Sequence, residues 1–262
     1  MPLNYADGVA ARVDLGSGSD IDSPNLPVLT CMIWFYPTVV ATSPTQVLWG
    51  KNTTSFVDGF HCTINQASIS GNIQIQRKGA SDTRFQAVTG TVIQDQWNFV
   101  AGVYHAIDTN PGGAIYKGSL TAAATEPSYA VQNSAVTSFN NDSAVPLYIG
   151  NTNANTALEF RGDIAAFAII DRDLTLAEVV DWQFRPRVIP GTLGYYRLGA
   201  NGTGTQPDWS GNGRGGTVTG ATLSSRGGPL GPWFGYDVGL QTGAAVAPPA
   251  TPFDMLPMMG VG

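Results

Sequence analysis

The sequence predicts an all-β fold, a sandwich or barrel of short strands, with one short helix and an extended C-terminal arm. Three observations carry this. Short runs of β-branched and aromatic residues recur between clusters of turn residues, and the 262 residues include 32 Gly and 17 Pro. Glu and Lys, which normally cover helix surfaces, are scarce: only Glu126, Glu159, Glu178, Lys51, Lys78 and Lys117 occur. Charged residues make up 12% and hydrophobic ones 43%, the balance of a chain with a packed core and not of a disordered one. A chain of this length buries about three quarters of its unfolded surface, so it needs no disulfide or metal to fold.

The runs come in order. Val28–Tyr36 is strongly apolar and stops at Pro37, which cannot donate to a ladder. Val47–Trp49, Phe60–Ile64 and Ile73–Gln76 follow, the last with strict alternation. Trp97–Tyr104, Leu147–Ile149, Ile164–Ile170, Leu193–Leu198 and Thr217–Gly220 complete the set. One segment reads as helix. Thr175-Leu176-Ala177-Glu178 has the form of a capping box, Leu176, Val179, Val180 and Trp182 supply an apolar face, and Pro186 limits the helix to about two turns.

Residues 228–262 differ in kind. Gly and Pro fill 13 of these 35 positions, and only Asp237 and Asp254 carry charge. That composition excludes regular secondary structure. Yet Trp233, Phe234, Tyr236, Phe253, Leu256, Met258 and Met259 are too apolar for a solvated linker. The division expected is a sandwich over 1–227, with a strand element at 191–227, and an assembly arm over 228–262. The arm's apolar residues would either fold back on the chain's own body or, the reading favoured here, bind a neighbouring subunit, a copy of the chain or another protein of the assembly.

Charge and cysteine narrow the partners. The net charge is -6, with basic residues scattered, so nucleic acid is not an expected partner. No apolar run is long enough to cross a membrane as a helix, and Met1–Tyr5 lacks the basic and apolar regions of a signal peptide. Cys31 and Cys62 fall in apolar runs and read as buried thiols; a bridge between them requires that those two strands be neighbours.

The ordered motifs resemble the concanavalin A-like jelly-roll family that includes laminin-G-like (LamG) domains. Thr30-x-x-x-Trp34-Phe35-x-Pro37 is similar to its early strand, and Gln96-Trp97 through Val103-Tyr104 to its W-h-x-h-A-G-V-Y strand. Pro146-Leu147-Tyr148-Ile149-Gly150 is similar to a P-L-x-I-G strand; Phe160-Arg161-Gly162-Asp163-Ile164 and Leu174–Val179 to the penultimate strand and short helix. Ala6–Gly16 fits the opening strand, and Gly194–Gly213 an accessory element that in the family usually precedes the domain. The resemblance spans roughly residues 3–223. It implies a two-sheet antiparallel jelly roll, with Trp34 and Trp97 filling the space between sheets about 10 Å apart and with Gly102 and Gly150 at bends or close approaches.

The family includes glycoside hydrolases, which pair two carboxylates on one strand. The three Glu are isolated, Asp171-Arg172-Asp173 leads straight into the capping box, and His61 and His105 fall in no metal-ligand or nucleophile spacing. No enzymatic activity is expected. Family members often hold Ca²⁺ through Asp side chains and carbonyls. Asp7, Asp14 and Asp163 are the weak candidates, because Ala165-Ala166 stand where the family often has Asp-Asp; otherwise no cofactor is expected.

Two functions follow from the resemblance. The first is a non-enzymatic structural protein of a virus particle, a bacteriophage capsid decoration (cement) or tail-associated protein, made in the host cytoplasm and held by the arm on copies of itself or on a capsid or tail protein. The alternative is an extracellular carbohydrate-binding, lectin-like module using Trp49, Tyr104, Tyr116 and the loop residues Asn151, Asn153 and Asn155.

Overall fold

A computed structural model describes residues 1–6, 10–40, 45–52, 56, 58–65, 71–79, 81–88, 90–106, 109–133, 138–152 and 158–229. The apolar residues expected in the arm, Trp233, Phe234, Tyr236, Phe253, Leu256, Met258 and Met259, lie outside the described residues, as do Asp7, Asn153 and Asn155.

The strands, in chain order, are β1 (Leu3–Tyr5), β2 (Arg12–Asp14), β3 (Leu29–Pro37), β4 (Gln46–Lys51), β5 (Phe60–Asn65), β6 (Asn72–Arg77), β7 (Thr83–Ala87), β8 (Asn98–Tyr104), β9 (Gly113–Ser119), β10 (Tyr129–Gln132), β11 (Tyr148–Ile149), β12 (Gly162–Ile170), β13 (Thr192–Arg197), β14 (Thr217–Thr219) and β15 (Thr222–Leu223). One helix, α1 (Leu176–Phe184), lies between β12 and β13. One sheet has the order β15-β1-β12-β3-β8-β9, with β13 also on β12; the other has the order β10-β7-β6-β5-β4-β11-β2-β14. All the pairings are antiparallel. The fold is the expected two-sheet sandwich, consistent with a jelly roll.

Alternation along the strands sorts side chains into three layers. Between the sheets lie Leu29, Cys31, Ile33 and Phe35 of β3, with Phe60, Cys62 and Ile64 of β5, Ile73 and Ile75 of β6, and Trp49 of β4. Trp49 fits because β8 has a glycine opposite it: a Cβ on Gly102 would lie 3.0 Å from the indole Cζ2 and 2.9 Å from Ile75 Cγ2. Gly150 takes φ 82°, and a Cβ there would lie 2.2 Å from the Tyr5 ring. Cys31 and Cys62 are free thiols on strands of opposite sheets, both buried.

The second layer corrects an expectation. Trp34 and Trp97 are buried, but not between the sheets. With Met32, Phe99, Ala101, Ala166 and Ala168 they form a separate core on the outer face of the seven-stranded sheet. Helix α1 covers that face. Trp182 packs on Phe99 with centroids 6.0 Å apart and on Tyr195 at 5.9 Å. Trp34 Nε1 donates to Gln183 O at 3.0 Å, and the buried Gln183 amide links Ala124 N, Ser119 O and Ala122 O. The capping box forms as read: Thr175 accepts from Glu178 N, and Glu178 reaches back to Thr175 N. Leu176 departs from the expected apolar face and stays exposed, while Val179 and Trp182 point inward.

The segment after α1 is part of the sandwich. β13 pairs with β12, β14 with β2, and β15 with β1. The Asp208–Gly213 turn is pinned by Asp208, whose carboxylate accepts from Tyr195 N, Ser210 N and Arg214 N.

Candidate functional site

The third layer is the outer face of the eight-stranded sheet, and no helix of the described residues covers it. Inward-facing Phe60, Cys62, Ile64, Ile73, Ile75 and Phe85 force their neighbours outward. The register then places His61 beside Gln76 and Gln76 beside Arg84 in one row, and Thr63 beside Gln74 and Gln74 beside Gln86 in the next. These six polar side chains form a lattice spanning about 10 Å across the strands and about 7 Å along them. Gln74, Gln76, Arg84 and Gln86 are half-buried; His61 and Thr63 are buried.

Side-chain bonds hold the lattice in place. Gln76 Nε2 donates to Asp82 Oδ2 at 3.0 Å, Lys78 Nζ meets the same oxygen at 2.5 Å, and Arg84 Nη2 donates to Gln86 Oε1 at 2.5 Å. The first row extends through Gly50, the cross-strand partner of His61. The missing side chain at Gly50 is replaced by the amide of Asn52, whose Oδ1 lies 3.0 Å from where a Gly50 Cβ would stand. Phe56 lies against the His61 ring at 4.6 Å.

Hydrogen-bonding capacity is left over. His61 Nδ1, Thr63 Oγ1 and both polar atoms of the Asn52 amide are buried without a partner among the described residues. Each such atom costs about 1–3 kcal/mol. Burial also holds the His61 pKa down, to about 3, with the nearby Lys78 charge adding to the effect. The ring is therefore neutral at physiological pH, with one donor and one acceptor nitrogen, and it bonds to the neighbouring Gln76 side chain within the lattice. Neutral amides, a hydroxyl, a neutral imidazole and a guanidinium, next to an aromatic ring, match hydroxyl-rich ligands.

The glycan residues expected from sequence divide differently. Trp49 and Tyr104 are core residues, 0% and 1% exposed. Trp49 packs on Phe167 at 6.0 Å, and Tyr104 donates to His61 O at 2.8 Å. They are corrected to structural roles, since a sugar cannot reach between the sheets. Tyr116 is half-buried against the helix-side core. Asn151 is buried, and its Oδ1 accepts from Thr152 N at 2.6 Å. The lattice was missed, although the alternating Gln74 and Gln76 were its visible trace.

The two described calcium candidates lie in opposite sheets, and each has another commitment. Asp14 Oδ1 accepts from Gly16 N at 2.8 Å. Asp163, fully buried, takes 2.8 Å bonds from Asn4 Nδ2 and Arg226 Nε. No group of three His, Cys, Asp or Glu among the described residues could hold a metal ion.

Asp22 and Asp142 are a pair of carboxylates brought to one place, and Lys51 bridges them. Its buried ammonium lies 3.1 Å from Asp22 Oδ1 and 4.0 Å from Asp142 Oδ1, and donates to Asp142 O at 2.7 Å and Val145 O at 2.5 Å. Asp142 also accepts from Ser23 N and Oγ at 2.8 and 2.7 Å. This arrangement ties one end of the sandwich, and burial pushes the Asp142 carboxyl pKa up against the pull of Ser23 and Lys51.

A family model described as Laminin_G_3, concanavalin A-like lectin/glucanases superfamily, matches residues 8–180. The chain belongs to this family. The match ends within α1, yet the Laminin_G_3 sandwich is completed by β13, β14 and β15 beyond it. Among solved structures, a candidate carbohydrate-binding protein from Bacteroides ovatus ATCC 8483 superposes with TM-score 0.61 at 14% identity, over 88% of this chain and 62% of that one. The chain thus spans less than two thirds of that protein's length. A heptameric SAP-like pentraxin from Limulus polyphemus superposes with TM-score 0.52 at 12% identity, over 85% of this chain and 94% of that one. These likenesses concern the fold. No curated protein matches the sequence.

Proposed function

We propose that the chain is a non-catalytic, lectin-like module and that the outer face of β5, β6 and β7 binds glycan. The single observation behind this reading is the lattice of His61, Thr63, Gln74, Gln76, Arg84 and Gln86 beside buried polar atoms that lack partners. Sugar hydroxyls are both donors and acceptors, so they match neutral amides better than an ionic ligand would. The carbohydrate role of the Bacteroides ovatus protein that shares the fold accords with it. Such a module works where glycans are displayed, outside a cell or on a particle surface.

Membership of a virus particle, as capsid cement or tail-associated protein, is compatible with glycan binding, since a surface protein of a particle can adhere to glycans. That reading rests on residues 228–262, nearly all outside the described set.

The test is a glycan array with the purified chain, followed by calorimetry on the best hit. The triple variant Gln74→Ala/Gln76→Ala/Gln86→Ala should bind at least tenfold more weakly while melting close to wild type. An array without hits, or a triple variant with unchanged affinity, overturns the proposal.

A further inference from the structure

A cleft of about 340 Å³ opens at the edge of the helix-side core, lined by Tyr36, Asp95, Gln96, Trp97, Ser119, Leu120 and Thr121. Tyr36 is the last residue but one of β3, Trp97 precedes β8, and Leu120 follows β9, so the cleft lies at one rim of the seven-stranded sheet. Its walls are apolar: Tyr36 and Trp97 meet edge to face at 5.6 Å, and Leu120 is 45% exposed. Asp95 is its one charged lining residue.

The chain returns to this rim at its far end. Arg226 lies over the Tyr36 ring, its Cζ 3.7 Å from the centroid, and its Nε donates to the buried Asp163 carboxylate at 2.8 Å. Asp95 is close enough to favour the Arg226 charge. Arg226 therefore anchors the chain at the mouth of the cleft. Gly227, Gly228 and Pro229 follow, able to turn sharply, and then Leu230, Trp233, Phe234 and Tyr236. Trp233 is seven residues from the anchor, a reach of up to about 24 Å. Residues 230–236 carry no charge, so burying them beside Asp95 brings no like charge against its carboxylate.

We infer that the cleft is the docking site of the chain's own segment 230–236, with Trp233 and Phe234 packed against Tyr36, Trp97 and Leu120. The occupant comes from the same copy because the anchor sets it there. A tethered segment meets its site at millimolar effective concentration, which a second copy at micromolar concentration does not match. Each aromatic side chain covers roughly 150–250 Å² when buried, enough to close an opening of this size. The segment that the sequence assigns to a neighbouring subunit would then serve its own sandwich first, and the arm available to partners would begin beyond it.

Disulfide trapping in the full chain tests this. Thr121→Cys with Phe234→Cys places one thiol in the cleft and one on the segment; Thr219→Cys with Phe234→Cys puts the first on the exposed edge strand of the other sheet. Under mild oxidation at micromolar protein, the cleft pair should give a monomeric product lacking two hydrogens, in at least tenfold higher yield than the edge pair. Adding Trp233→Ala should lower that yield several-fold. Equal yields from the two pairs overturn the inference. A cross-linked dimer from the cleft pair overturns it too, giving the cleft to a second copy. Loss of the monomeric cross-link on adding the array's best glycan would also overturn it, giving the cleft to sugar.

Discussion

The two outer faces of the sandwich have opposite fates. On the seven-stranded sheet, Met32, Trp34, Phe99, Ala101 and Ala168 project outward and are buried again under Trp182 and Val179 of the helix. On the eight-stranded sheet, the equivalent positions of β5 to β7 are His61, Thr63, Gln74, Gln76, Arg84 and Gln86. An apolar outer face must be covered; an amide-rich one can remain available. If the proposed function holds, stability belongs to one face and recognition to the other, and substitutions on the two should separate these properties.

The largest effect is expected under the helix. Trp182→Ala removes a fully buried indole that touches Phe99 and Tyr195, and should cost about 3–5 kcal/mol. Urea unfolding measures this. A loss below about 1 kcal/mol would mean that the helix is an ornament on the sheet and that the contrast between the faces is false.

The next belongs to the open face, at its one buried titratable ring. Unfolded, His61 titrates near the ordinary imidazole value of about 6.5; folded, burial holds it down to about 3. As pH falls below 6.5 the unfolded chain takes up a proton that the folded chain refuses. Stability is therefore fully present above pH 6.5 and declines as pH falls towards 3, by up to about 1.4 kcal/mol per pH unit. The stability of His61→Gln, measured against pH, should lack roughly 2 kcal/mol of the wild-type decline between pH 6.5 and 5. Identical slopes would show that His61 is accessible enough to protonate in place, which would open the lattice further than its burial indicates.

A smaller effect tests how the cover is attached. Thr175→Ala removes the hydroxyl that accepts from Glu178 N and leaves Glu178 Oε2 on Thr175 N alone. The expected loss is about 1 kcal/mol, with unchanged glycan affinity. A change in affinity would mean that the two faces are coupled.

The contrast also explains what could be read from the sequence. Phe60–Ile64 and Ile73–Gln76 each have one buried face, so their alternation was plain, and the Thr175/Glu178 capping box is local chemistry. Val28–Tyr36 has both faces buried, so it shows no alternation and gives no sign of which side Trp34 occupies. The family resemblance predicts Trp34 between the sheets, where Trp49 stands instead. Strands β7, β9 and β10 went unread because their sequences mix polar and small residues: Thr83–Ala87 is half polar, and Gly113–Ser119 has a glycine near each end. The lattice depends on cross-strand register, which brings His61, Gln76 and Arg84 into one row although they are far apart in sequence. Single-strand periodicity can say that Gln74 and Gln76 face outward, but not what stands beside them.

The smallest stability effect should accompany the largest functional one. Gln74 and Gln86 are half-buried partners in one row; Gln74 Nε2 donates to Gln76 Oε1 at 3.4 Å and Gln86 Oε1 accepts from Arg84 Nη2 at 2.5 Å, contacts within the same face. Gln74→Ala/Gln86→Ala should therefore shift unfolding free energy by no more than about 0.5 kcal/mol. If the row recognises sugar, the same double variant should weaken glycan binding several-fold, because each lost amide leaves a hydroxyl of the ligand unpaired at about 1 kcal/mol. Calorimetry and thermal unfolding on one preparation measure both quantities. A double variant that melts early and binds normally would reverse the assignment, making the amide rows a structural surface and sending the search for the ligand to the loops around Asn52 and Phe56.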